Sequence, residues 1–246
     1  NNKNFYNNFY QPNNATLVVS GDIDVKQVKG FVNEYFGKLP KGPQPKRSDV
    51  ALKPMNPGII RETIDDQKAQ LPAVFMGYRG PKIGEKDAYA MSMLMDIMRS
   101  GESSRLYQRL VDKDQSAVQA SGGAQNLQAS GMMFGLAIVA PGKTPDEVIK
   151  AIDEEIEKVK KDGVTDEEFL KAKNIAEVRF IEGKKNVLEK ARSLARYHTY
   201  FGKASMINTE IKDFMSIKKE DLKRVANQYF TQDSRVILQY MPKQKQ

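Results

Sequence analysis

Two stretches near opposite ends of the chain align without a gap: Asn7-Asn-Phe-Tyr-Gln-Pro-Asn-Asn-Ala-Thr-Leu-Val-Val19 and Asn227-Gln-Tyr-Phe-Thr-Gln-Asp-Ser-Arg-Val-Ile-Leu-Gln239. In each, a helix end with an aromatic pair leads through a polar turn into an apolar strand. A repeated closing piece constrains the fold strongly, because each copy has to complete a unit of the same kind. The second copy closes whatever precedes it. The first has little chain ahead of it, so residues 1–39 are expected to be the carboxy-terminal remnant of a preceding homologous domain, with Asn1 not a natural amino terminus. Pro40, Pro43, Pro45, Pro54 and Pro57, set among charged residues and glycines, make residues 40–58 a linker. Residues 59–246 are then a second domain.

The pattern within these segments predicts an α+β fold, an antiparallel-rich sheet with helices packed on it. Phe5, Tyr6 and Phe9 share a face of a helix ending near Tyr10, and Ala15 to Ser20 reads as a strand. Asp24 to Gln27 has the form of a capping box, ahead of a helix whose stripe is Val25, Val28, Val32, Tyr35 and Phe36. Strands are expected over Ile59 to Ile64 and over Leu71 to Tyr78, the latter almost wholly apolar and so internal to a sheet. Asp87 to Arg99 carries Ala90, Met91, Leu94, Met95 and Met98 at helical spacing, a methionine-rich stripe that reads as core. Ser103 to Tyr107 begins a short helix with serine caps. Val118 to Ala124 and Met132 to Ala140 form a hairpin. Thr144-Pro145-Asp146-Glu147 and Thr165-Asp-Glu-Glu168 mark two helix starts, the second opening a long run towards Phe201 that Gly183 bends. Helices over Met206 to Met215 and Glu220 to Phe230 precede the last strand, Arg235 to Tyr240.

What is missing narrows the chemistry. With one histidine, His198, and no cysteine, the chain has neither disulfides nor thiolate zinc ligands, and one imidazole is far short of a three-ligand catalytic zinc site. A net charge of +8 raises nucleic acid as a partner, but lysines lie beside acids along helices, as in Asp153, Glu154, Glu155, Glu157, Lys158, Lys160 and Lys161. That is a solvated face, and no nucleic-acid partner is expected. No apolar run approaches the ~18 residues of a membrane span, and any targeting segment is expected upstream.

The residues of the repeat also carry a family resemblance. Phe9-Tyr10-x-Pro12-x-Asn14-x-x-Leu17-Val18-Val19-x-Gly21-Asp22, then Tyr35-Phe36-Gly37-Lys38-Leu39-Pro40, resembles the middle of zinc metallopeptidases of the insulinase (pitrilysin) family. Pro81, Asp87-Ala-Tyr89-Ala90 and Gly101-x-Ser103-Ser104-Arg105-Leu106-Tyr107-Gln108-Arg109-Leu110 are similar to the opening of the second domain of a half-molecule in its processing-peptidase branches. The resemblance implies that two similar α/β domains form each half, and that two halves close around a chamber for unfolded peptides. It places zinc in the upstream domain of the parent protein, on an H-x-x-E-H helix that this chain lacks, so no catalytic or metal residue is expected here. The implied partners are that upstream catalytic domain, a second half-molecule or subunit, and unfolded peptide. Exported bacterial members make the periplasm or cell envelope the expected location.

The family's substrate-contacting arginine and tyrosine correspond to Val111 and Val118, so the pair is absent, as in the supporting domain of a zinc-bearing half. Ser103, Ser104 and Arg105 remain as a possible chamber or structural motif. Arg105 either faces the chamber and attracts substrate carboxylates or is tied to backbone carbonyls or an acid at the helix start; serine caps followed by Leu106 and Leu110 favour the second. The expected role is the non-catalytic region of a zinc metalloendopeptidase, with a catalytically dead scaffold or partner subunit as the alternative and a basic nucleic-acid-binding protein behind both.

Overall fold

The computed structural model describes residues 2–45 and 60–243, which form parts of two compact units: residues 1–51 with 178–210, and residues 52–177 with 211–246. The expected linker falls mostly outside the described residues, as does Ile59.

The larger unit is built on a five-stranded sheet. Its strands are β1 (Ile60–Asp66), β2 (Ala73–Gly80), β3 (Ala117–Gln125), β4 (Gly131–Val139) and β5 (Arg235–Pro242), in spatial order β1-β5-β2-β4-β3. All neighbours are antiparallel except β1 and β5, which makes the sheet antiparallel-rich as expected. Strand β5 lies between β1 and β2, so the last segment of the chain becomes an interior strand.

Alternation along the strands sorts side chains onto two faces. Val74, Met76, Met133, Ala137, Val139 and Ile237 enter one buried cluster. Across from them are α3 (Lys86–Arg99), α5 (Pro145–Asp162) and α9 (Lys219–Tyr229), which contribute Met91, Leu94, Met98, Val148, Ile152, Leu222 and Val225. The methionine stripe of α3 is core, as its spacing predicted. Methionine suits this position because its unbranched side chain fills gaps between a twisted sheet and three helices.

Helix ends follow the sequence signals where those are local. Thr144 accepts from the Glu147 N–H while the Glu147 carboxylate accepts from the Thr144 N–H, a complete capping box before α5. Thr165 and Glu168 repeat the exchange before α6 (Asp166–Glu182). The long run does not continue through Gly183, however. It stops there, and Asn186 starts α7 (Val187–Phe201) by accepting from the Leu188 N–H at 2.7 Å. Glycine's entropic cost and a strong new cap together turn the expected bend into a break. Met206 to Met215 also divides, into a 3₁₀ helix (Ala204–Asn208) and α8 (Glu210–Ser216).

The smaller unit shows α1 (Asn2–Phe9), a 3₁₀ turn (Pro12–Asn14) and α2 (Val25–Phe36), which Asp24 caps by accepting from Gln27 N–H. Neither α1 nor α2 holds a fully buried residue, and of the α2 stripe only Val28 and Val32 are half-buried. Ala15 to Ser20 is a correction: it joins no ladder with any described residue and is not a strand. An apolar run has β-propensity, but a strand exists only through a hydrogen-bonded neighbour. In the same unit Tyr197 of α7 is buried and donates to Glu210.

Candidate functional site

The Gly101 to Leu110 block begins with Gly101 in the left-handed region, φ +75°, which turns the chain after α3. Ser104 then occupies the N-cap position of α4 (Arg105–Tyr107), but its hydroxyl donates to Gly101 O at 2.7 Å and caps no helical N–H. Ser103 accepts from Lys171 Nζ at 2.5 Å. The expected serine caps are therefore replaced by contacts that fix the turn, because the hydroxyls find nearer partners than the first N–H groups of α4.

Arg105 makes a two-pronged contact with Glu168, Nε to Oε1 at 2.6 Å and Nη2 to Oε2 at 2.7 Å, and also donates to Gly163 O at 3.3 Å. Gly163 is the C-cap of α5 and Glu168 belongs to the capping box of α6, so one guanidinium joins three helix ends. Donating these hydrogen bonds to the Glu168 carboxylate raises the Arg105 pKa further. Burial pushes the Glu168 carboxyl up, but the Arg105 hydrogen bonds and the Thr165 N–H outweigh it and leave the pKa below its usual value. Sequence reasoning missed this pairing because Glu168 already had a local role in Thr165-x-x-Glu168.

Beside this contact lies an open basin lined by Ser103, Arg105, Arg109, Lys113, Glu155 and Lys158. Its cations are largely matched by its own acids. Arg109 donates to Asp114 at 2.6 Å and to Glu154 at 2.7 Å, and Lys158 to Glu155 at 2.5 Å. Such a basin offers little uncompensated charge to a free carboxylate.

From Tyr107 onward the chain departs from regular geometry three times in quick succession. Gln108–Lys113 is a π-helix, Gln115 has φ +50°, and the β3–β4 register slips between Ala117 and Gln119. Val111 lies in the π-helix and Val118 at the slip, where Val118 stands 50% exposed. A bulge turns a strand and re-aims its side chains. Strand β3 follows this segment as an outer strand of the sheet.

The two outer strands differ in chemistry. Strand β1 carries Arg61, Glu62, Asp65 and Asp66, charges of the kind that guard an edge against further pairing. Strand β3, AVQASGGAQ, carries neither charge nor proline, and among the described residues no strand pairs with its outer side. Beyond the helix-packed face, the sheet presents Phe75, Phe134, Leu136, Ile138, Val236 and Leu238, all half-buried and none in the main cluster. Phe75 and Phe134 stack with ring centres 5.8 Å apart, over the space left by Gly77 opposite Phe134.

His198 lies exposed in the last turn of α7. Among the described residues no three His, Cys, Asp or Glu side chains come together as a metal site requires.

The sequence matches the family described as "Peptidase M16 inactive domain" over residues 3–176. It is 29% identical over 239 residues to "Zinc protease PqqE" of Helicobacter pylori, an alignment covering 96% of this chain and 54% of that protein. Among solved structures, a protease from Helicobacter pylori superposes with a TM-score of 0.88 at 28% identity, over 98% of this chain and 58% of that one. The inactive peptidase domain of a putative zinc protease from Bordetella parapertussis shares the fold at a TM-score of 0.66 and 20% identity, over 73% of this chain and 96% of that one. The chain spans about half the length of the curated relatives it matches.

Fold and matched residues together define the class, a non-catalytic α+β domain of zinc-protease-like proteins. The chain belongs to the peptidase M16 family, the family to which its insulinase-like motifs pointed.

Proposed function

We propose that this chain is the non-catalytic domain region of a zinc-dependent metalloendopeptidase, in which it forms chamber wall, contacts a second half and holds extended peptide. The observation that carries this reading is the contrast between the outer strands. An extended peptide gains affinity by adding its backbone to an unpaired strand, a mode that asks little of particular side chains. Strand β3 offers that edge and β1 opposes it with charge. The half-buried apolar face beside β3 suits a wall against which unfolded chain slides without a fixed sequence requirement.

On the same reading, residues 1–39 complete a preceding homologous domain, residues 40–58 link it to the second, and zinc is bound in that preceding domain. Support comes from the repeat, whose first copy keeps the local geometry of a closing segment while its apolar side chains stay exposed. Ser103, Ser104 and Arg105 then serve as struts, holding the base of β3 through Glu168 and Gly163.

Hydrogen exchange on the chain tests the edge. With an acetylated, amidated decapeptide of threonine, valine and glutamine, backbone amides of β3 between Ala120 and Gln125 should exchange more slowly, while those of β1 stay unchanged. Slowing at neither edge, or equally at both, would reject the assignment.

A further inference from the structure

Arg99, near this edge, lacks the carboxylate hydrogen bond that several other described arginines make. Arg105, Arg109, Arg192, Arg224 and Arg235 each donate to a carboxylate. Arg99, in the last turn of α3, makes no hydrogen bond with any described residue, and its Nε is buried without a partner. Its nearest charged neighbour is Asp96, with Nη2 and Oδ1 3.8 Å apart, beyond hydrogen-bond reach. A cation is favoured at a helix C-terminus, which accounts for the charge being there but not for unmet donors on a side chain only 29% exposed.

The position of the guanidinium is informative. A Cβ built on Gly123 of β3 would lie 3.8 Å from Arg99 Cζ and 3.2 Å from the Phe134 ring. Arg99 therefore rests against the outer strand where that strand has no side chain. A strand added to β3 would run about 4.8 Å away. Its residue opposite Gly123 would place a Cβ at roughly 5 Å, from which a glutamate side chain spans the remaining gap to the guanidinium.

We propose that Arg99 is a specificity-determining residue of this edge, selecting an extended peptide with an acidic side chain opposite Gly123. The inference rests on the edge-binding reading above. A carboxylate supplies the planar pair of acceptors that a guanidinium fork matches, and it meets donors that the folded chain leaves unused.

The test uses two acetylated, amidated decapeptides that differ only in a central glutamate or glutamine, titrated against the chain at low ionic strength. The glutamate peptide should bind about tenfold more tightly, in line with hydrogen bonds to charged groups. Arg99→Met should abolish that preference and leave glutamine-peptide affinity unchanged, which also shows that the variant folds. Equal binding of both peptides to the unaltered chain, or a preference that survives in Arg99→Met, overturns the inference while leaving the edge reading intact. Binding of neither peptide rejects both. A glutamine peptide with a free C-terminal carboxylate that binds as tightly as the glutamate peptide would transfer the role to a chain end and overturn the side-chain assignment.

Discussion

The two copies of the repeat have the same local structure and opposite environments. Helix α1 ends at Phe9 and helix α9 at Tyr229, which are aligned positions. Both then make a 3₁₀ turn, Pro12–Asn14 and Gln232–Ser234, again aligned. The residue after each turn is extended, with Ala15 at φ −109°, ψ 144° and Arg235 at φ −101°, ψ 148°. From there they diverge. Ile237 is 1% exposed inside the sheet while its counterpart Leu17 is 59% exposed, and Phe230 is 5% exposed where Tyr10 is 67%. Local conformation thus follows local sequence, whereas strand pairing and burial need partners from elsewhere: β1 and β2 beside the second copy, α3 and α5 beneath it.

Substitutions at matched positions put this contrast at risk. The largest effect is expected in the second copy, where Ile237→Ala should cost about 2–5 kcal/mol through lost burial and a residual cavity, measured by denaturant unfolding of the chain. A cost under ~1 kcal/mol there would mean that the copies differ less than their exposure suggests.

A smaller effect tests whether polar ties hold the larger unit as its core does. Arg105→Met leaves Glu168 part-buried without its partner and should cost about 1–3 kcal/mol at neutral pH. The Glu168 pKa lies below its ordinary 4.5 in the folded chain, so its contribution is present above pH 4.5 and is lost as pH falls through the folded value. The gap between Arg105→Met and the unaltered chain should therefore narrow as the pH drops below 4.5. A gap that stays constant down that range would show the contact to be packing rather than charge.

The smallest effect belongs to the first copy. Leu17→Ala should change the stability of the chain by no more than ~0.5 kcal/mol, as for other exposed positions. A cost matching that of Ile237→Ala would show that Leu17 is covered in solution and would erase the comparison.

What could be read in advance follows the same division. The methionine stripe of α3 and the Thr144 and Thr165 capping boxes depend on residues three or four apart, and they form where spacing placed them. The break after Gly183 and the idle serine caps depend on competition among nearby groups, which spacing does not rank. The joining of Arg105 to Glu168 and of Arg99 to the edge at Gly123 brings together residues from separate elements. The lack of charge in AVQASGGAQ was visible in the chain, but its meaning depended on β3 being an outer strand.

The sequence by itself determined that helix, turn and extended segment recur at both ends and that the motifs are those of this peptidase family. The tertiary structure decided that one copy became an interior strand, that β3 lies outermost and that the Arg99 Nε is buried without an acceptor among the described residues. The reason is physical: dihedral preferences and caps act within a few residues, whereas ladders, burial and ion pairs form only when distant segments meet.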